Sequence, residues 1–215
     1  MSGPGLSAPS VATAEPAARH RLWRLSRGFA RLVAHVVWRL RIENADRVPR
    51  TGGLIIAANH VSYADPPFIG AAIPRVAYFL AKEELFRNPL FGRLIAAHHA
   101  IPIRRGQLRP EQHARVVALL KSGATLLMFP EGTRSRTGRP GRARPGVAIF
   151  ARDAGVPVVP ALISGSVGWT RSWLRRRPVV VRFGHPMPPP PRGADAPALR
   201  AASDQIMSRI VDLAS

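Results

Sequence analysis

Short apolar runs alternate with stretches of helical periodicity, and this constrains the fold more than any other feature of the chain. Leu54–Ala58 (LIIAA), Val76–Leu80, Ile101–Ile103, Thr125–Phe129 (TLLMF), Val156–Ile163 (VPVVPALI) and Val179–Phe183 read as strands. Helical stretches fall between them near residues 66–72, 88–97, 110–121 and 146–154, and an amphipathic stretch over 197–213 closes the chain. Runs this short and this apolar suit strands covered on both faces. The expected fold class is α/β, a mostly parallel central sheet covered by helices on both faces, with an N-terminal amphipathic helix. Functional sites of such sheets collect at the carboxyl ends of the strands. Pro157 and Pro160 place the fifth run at an edge or rim, because proline cannot donate to a ladder.

The 215 residues suffice for one domain with a substantial core. Lys and Arg number 32 against 12 Asp and Glu, a formal charge of +20, and only Lys82 and Lys121 are lysines. Such a surplus suits anionic partners: nucleic acid, lipid headgroups, phosphorylated small molecules or an acidic carrier. A nucleic-acid module would interleave aromatics with its arginines, yet the Arg-rich stretch from Arg134 to Arg144 holds none, so no nucleic-acid partner is expected. The chain has no cysteine, which removes thiolate metal sites and a cysteine nucleophile together. Neither a spanning helix nor a cleavable signal peptide is legible. The expectation is a cytoplasmic protein, peripheral on the inner face of the cell membrane.

Residues 1–18 are small, Pro-rich and aperiodic, and read as a disordered tail. Residues 19–45 read as an amphipathic helix, and 46–215 as the main domain. Leu22, Leu25, Phe29, Leu32, Val33, Val36, Val37 and Leu40 fall on one helical face about 140° wide. Arg24, Arg27, Arg31 and Trp38 fall opposite. Two readings stay open: packing on the domain core, or an interfacial helix whose arginines meet anionic headgroups. A tryptophan on the polar face leans toward the membrane.

Asn59-His60-Val61-Ser62-Tyr63-Ala64-Asp65 follows the first run. A carboxylate on one imidazole nitrogen fixes the tautomer, and the other nitrogen can then take a proton from an incoming hydroxyl. Asp65 before Pro66-Pro67 equally reads as a helix N-cap, and its two oxygens are compatible with both roles. Phe129–Arg139 (FPEGTRSRTGR) places Glu131, Gly132, Thr133 and Arg134 on a turn after another strand, where glycine admits an anion to backbone N–H groups and arginine grips phosphate. Arg104 and Arg105 follow a third strand and offer a further anion contact. Ser164-Gly165-Ser166-Val167-Gly168 follows a strand as a nucleophile elbow would, but Ser164 stands where the first glycine belongs, and the hydrolase order of partners fails. His98 and His99 have no third ligand at metal spacing, so no metal is expected.

Taken together these blocks resemble the glycerolipid acyltransferase family, which includes the 1-acyl-sn-glycerol-3-phosphate acyltransferases. Asn59, His60, Ser62 and Asp65 match its Asn-His-x-x-x-x-Asp block. Arg105 occupies the position of its substrate-binding arginine, although Arg104 stands where many members carry an acid. Phe129–Ser135 matches the Phe-Pro-Glu-Gly-Thr-Arg-Ser block in full, and Val156–Pro160 the Val-Pro-Val-Val-Pro strand. Arg144 and Gly146 match a later basic residue and glycine. The resemblance implies His60 as general base on a glycerol hydroxyl, Asp65 as its orienter, and Arg105, Glu131, Gly132, Thr133 and Arg134 around the acceptor phosphate. It implies transfer from acyl-CoA or acyl carrier protein to the sn-2 hydroxyl of 1-acyl-glycerol-3-phosphate, or to another lysophospholipid or glycerol 3-phosphate, without a cofactor. Backbone N–H groups at the start of the helix after Asp65 are the expected oxyanion donors.

Overall fold

A computed structural model describes residues 28–29, 31–103, 109–135, 141–172 and 177–214. The expected tail, the first turns of the N-terminal helix with Arg24 and Arg27, and Arg104, Arg105, Arg136 and Arg139 lie outside the described residues.

The strands are β1 (Arg41–Glu43), β2 (Leu54–Ala58), β3 (Ala77–Lys82), β4 (Ala100–Ile103), β5 (Thr125–Met128), β6 (Val158–Ser164) and β7 (Val180–Phe183). They form one sheet in the order β1-β7-β6-β2-β5-β3-β4. Every neighbouring pair is parallel except β6 and β7. The helices are α1 (residues 31–38), α2 (Asp65–Ala72), α3 (Pro89–Ala97), α4 (Pro110–Lys121), α5 (Gly146–Ala154), α6 (Trp169–Ser172) and α7 (Ala196–Asp212). The α/β class and the mostly parallel sheet therefore match the expectation.

All five residues of β2 are fully buried. Leu54, Ile56 and Ala58 join α1 and α2 in one apolar layer, while Ile55 and Ala57 join α4, α5 and α7 in the other. The two-residue strand period divides the side chains in this way. The hydrogen-bonded neighbours of β2 are β5 and β6, so the carboxyl ends of β5, β2 and β6 emerge side by side.

Three expectations need correction. The amphipathic segment does not run to residue 45: the helix ends at 38, and Arg41–Glu43 pair with β7 as an edge strand. The boundary moves back because an extended tripeptide satisfies its backbone on the sheet. Trp38 does not stand free on the polar face: half-buried, its ring meets Phe68 edge-on at 5.5 Å, and its Nε1–H donates to the Trp169 carbonyl at 2.9 Å. Nor is β6 an edge strand, since it lies between β7 and β2. The missing N–H of Pro160 is tolerated because it faces the side where β7 has already ended, and there the Pro160 carbonyl accepts from Gly184 at 2.8 Å.

The face of α1 that packs on the sheet carries Ala34 and Trp38, with Leu40 just beyond the helix, whereas Phe29, Leu32 and Val36 are 70%, 60% and 72% exposed. Truncation of the two sides should differ accordingly. Ile56→Ala is expected to lower the unfolding free energy by about 2–5 kcal/mol, and Val36→Ala by less than about 0.5 kcal/mol, both read from denaturant titration.

Candidate functional site

The site is built on the ends of those three adjacent strands. Past β2 the chain leaves the sheet at Asn59, whose side chain stays in the core. Its Nδ2 donates to the Ile163 carbonyl at 3.0 Å, and its Oδ1 accepts from Ile163 N at 2.7 Å. This reciprocal pair ties the exit of β2 to β6, so His60 starts from a fixed point.

Asp65 opens α2 and is completely buried. Its Oδ2 accepts from His60 Nδ1 at 2.9 Å and from the Val61 and Ser62 backbone N–H groups, each at 2.7 Å. The loop thus closes on the carboxylate, and the histidine-partner reading of Asp65 holds. The helix-cap reading does not, because Asp65 is the first residue of α2, Ala64 stands at the cap position, and the carboxylate turns back to the Val61 and Ser62 N–H groups instead. The proton on Nδ1 leaves Nε2 as the acceptor. The His60 ring stacks on Phe129 with centroids 4.1 Å apart and planes 21° off parallel. Ser62 is buried, and its Oγ accepts from Ala64 N at 3.2 Å, tightening the same loop.

The turn after β5 holds His60 by its backbone. Glu131 Oε1 accepts from His60 N at 2.9 Å, and Ser135 N donates to the His60 carbonyl at 2.8 Å. Glu131 Oε2 accepts from Gly141 N at 3.0 Å, so the carboxylate bridges two loops. Gly132 has φ +68°, and a Cβ there would lie 2.8 Å from Arg144 Cδ, so the Arg144 stem lies across its backbone. Arg144 N donates to the Pro130 carbonyl at 2.8 Å, and Gly146 begins α5 close behind.

Thr133 and Arg134 are exposed at the rim. The Arg134 guanidinium carbon lies 3.4 Å above the centre of the Tyr63 ring, which holds a cation beside the histidine loop. Four of the five expected acceptor-site residues, Glu131, Gly132, Thr133 and Arg134, therefore gather on the turn beside the His60 loop, while Arg105 falls outside the described residues.

The start of α2 does not offer oxyanion donors, contrary to expectation. Asp65 N donates to the Ser62 carbonyl, Pro66 and Pro67 carry no N–H, and Phe68 N donates to the Ala64 carbonyl. Ser166 was not foreseen as part of the site. It follows β6, is fully buried, and its Oγ donates to Asp65 Oδ1 at 2.6 Å. The one available signal was a serine at a strand end beside that of β2. Tyr63 was legible only as an aromatic inside the Asn59–Asp65 block.

The two loops should be separable by a single atom. Glu131→Gln presents an amide N–H₂ to a backbone N–H, and the buried mismatch is expected to cost about 1–3 kcal/mol of stability, measured by denaturant unfolding with acyl-transfer rates followed in parallel.

The family model described as Acyltransferase matches residues 39–164, which include every described site residue except Ser166. A 1-acyl-sn-glycerol-3-phosphate acyltransferase of Bacillus subtilis is 31% identical over 59% of this chain and 63% of its own length. A lyso-ornithine lipid O-acyltransferase of Pseudomonas aeruginosa is 37% identical over 66% of this chain and 54% of its own. The chain thus spans less than two thirds of either relative. In the crystal structure of the 1-acyl-sn-glycerophosphate acyltransferase of Thermotoga maritima, the same fold covers 95% of this chain and 85% of that one, with a TM-score of 0.72 at 23% identity. With the family model extending over more than half of its residues, this chain belongs to the Acyltransferase family.

Proposed function

We propose that the chain transfers an acyl group from a thioester donor to the hydroxyl of a lysolipid, with His60 as general base. The observation that carries this reading is the buried Asp65–His60 pair at 2.9 Å, set at a strand end beside the exposed Arg134 turn. His60 Nε2 takes the proton of the acceptor hydroxyl as the oxygen attacks the thioester carbonyl. A carboxylate on Nδ1 stabilises the imidazolium that forms. The thiol leaves with a pKa of about 8.5, far below that of an alkoxide, and needs little acid help. No covalent acyl-enzyme is required.

For the acceptor we propose 1-acyl-glycerol-3-phosphate, acylated at its sn-2 hydroxyl in phospholipid synthesis. The relatives of that name and the cations at the rim support it. Arg134, Thr133 and the Gly132 backbone would face the phosphate, Glu131 would hold that turn in place, and Arg105 would join them on the strength of its motif position. A second reading is favoured by the Pseudomonas aeruginosa relative, whose acceptor is a lyso-ornithine lipid. The donor is acyl-CoA or acyl carrier protein, and a surface of charge +20 suits either.

We further propose that the protein works on an anionic membrane surface. No described helix is long and apolar enough to cross a membrane, but Leu32 and Val36 on α1, with Phe29 before it, are exposed apolar side chains. Side chains of this kind, on a strongly basic protein, suit the headgroup boundary.

The absence of cysteine lets a thiol reagent report CoA release without protein background. His60→Ala is expected to lower turnover per folded molecule by about 10²–10⁴, with some loss of melting temperature because buried Asp65 loses a donor; near-normal turnover would refute the base assignment. In a panel of lysophosphatidate, lyso-ornithine lipid and glycerol 3-phosphate, Arg134→Ala should raise KM for phosphorylated acceptors alone. An equal rise for lyso-ornithine lipid would contradict a phosphate contact. Replacing Phe29, Leu32 and Val36 by serine should abolish co-sedimentation with anionic vesicles while leaving turnover on detergent-dispersed substrate unchanged. Full retention on vesicles would count against α1 as the docking element.

A further inference from the structure

The chain from Ser164 to Trp169 matched no function in the sequence, yet the structure aims one of its side chains at the site. Asp65 Oδ2 receives three donors, from His60, Val61 and Ser62. Oδ1 receives the Ser166 hydroxyl at 2.6 Å. Both residues are fully buried, so solvent does not compete for that oxygen. We propose that Ser166 is a positioning residue for the acyl transfer: its hydroxyl fixes the rotation of the Asp65 carboxylate, and through it the imidazole of His60.

The geometry gives Ser166 little else to do. Among the described residues its O–H has one acceptor, Asp65 Oδ1, at the short end of the range for O–H···O⁻ bonds. Without it, Oδ1 keeps its charge in a buried place with no donor, and the carboxylate can turn about its own axis. Turning would carry Oδ2 away from Nδ1, since two backbone N–H groups compete for the same oxygen.

The backbone around Ser166 is shaped to hold this position. Gly165 has φ +77°, and a Cβ there would lie 2.2 Å from the Pro178 carbonyl oxygen, so the chain turns inward directly after β6. The Ser166 carbonyl accepts from Trp169 N at 3.2 Å, and the Trp169 carbonyl accepts from Trp38 Nε1 at 2.9 Å. The tilted Trp38 and Trp169 rings, 5.5 Å apart, complete the fastening to α1. A serine hydroxyl committed to a carboxylate in this way is a donor, not a nucleophile, which agrees with the failure of the elbow pattern.

The proposal rests on His60 acting as the base, and one series of variants separates the two claims. Ser166→Ala, Ser166→Thr and His60→Ala are compared with the parent for kcat, acceptor KM and melting temperature. Ser166→Ala is expected to lower kcat about tenfold per folded molecule, with acceptor KM unchanged, because it disturbs a group acting in the transition state and not substrate binding. Ser166→Thr, which keeps the hydroxyl, should recover most of the loss. A kcat for Ser166→Ala within twofold of the parent overturns the proposal while an inactive His60→Ala leaves the base assignment standing. A loss shared in full by a folded Ser166→Thr also overturns it, since the hydroxyl is then not what matters. An active His60→Ala overturns the base assignment and this proposal with it.

Discussion

A carboxylate with no solvent exposure organises this protein. Burying the charge of Asp65 is costly unless it is compensated, and unpaired it would destabilise the fold by several kcal/mol. Four donors compensate it, two from the loop backbone, one from His60 and one from Ser166. Each is a charge-assisted bond of the stronger kind. The loop from Asn59 to Asp65 is therefore held closed by electrostatics, and the same interaction that stabilises it selects the His60 tautomer.

The sheet order makes the arrangement possible. Since β2 lies between β5 and β6, three strand ends that are far apart in sequence deliver Glu131, His60 and Ser166 to one place. Each neighbour braces His60 differently. The β5 side grips its backbone through Glu131 and Ser135, and the β6 side anchors Asn59 and meets Asp65. Phe129 supplies a flat apolar wall for the ring. His60 is thus held in place by contacts to its backbone, its ring and its Nδ1, the preorganisation that the proposed base would need. Arg134, by contrast, sits exposed over Tyr63, where a mobile anionic acceptor can reach it.

Much of this was legible in the sequence, and the failures have physical reasons. The α4 and α5 bounds follow directly from their periodicity, and the His60–Asp65 pairing from spacing and residue chemistry. The strand β1 was missed because three residues, Arg41–Glu43, carry no period and are strand only by virtue of a neighbour. For α1, periodicity located the apolar stripe but not which stripe the domain covers; Trp38 packs against the domain, half-buried, because Phe68 and Trp169 offer its ring and its N–H a place. Pro160 misled because a missing donor was equated with an edge, whereas it needed only a gap in the neighbouring ladder. The oxyanion expectation overlooked that two prolines bring no N–H. Ser166 was invisible because its meaning lies in a partner 101 residues away.

With Ser166 a donor to a carboxylate and His60 the proposed base acting on the acceptor, the acyl group would never rest on the protein. Intact mass spectrometry after mixing the protein with a thioester donor in the absence of acceptor tests this most directly. The predicted result is an unchanged protein mass with no burst of released thiol. An acyl adduct on the protein, at Ser166 above all, accompanied by a stoichiometric thiol burst, would contradict it.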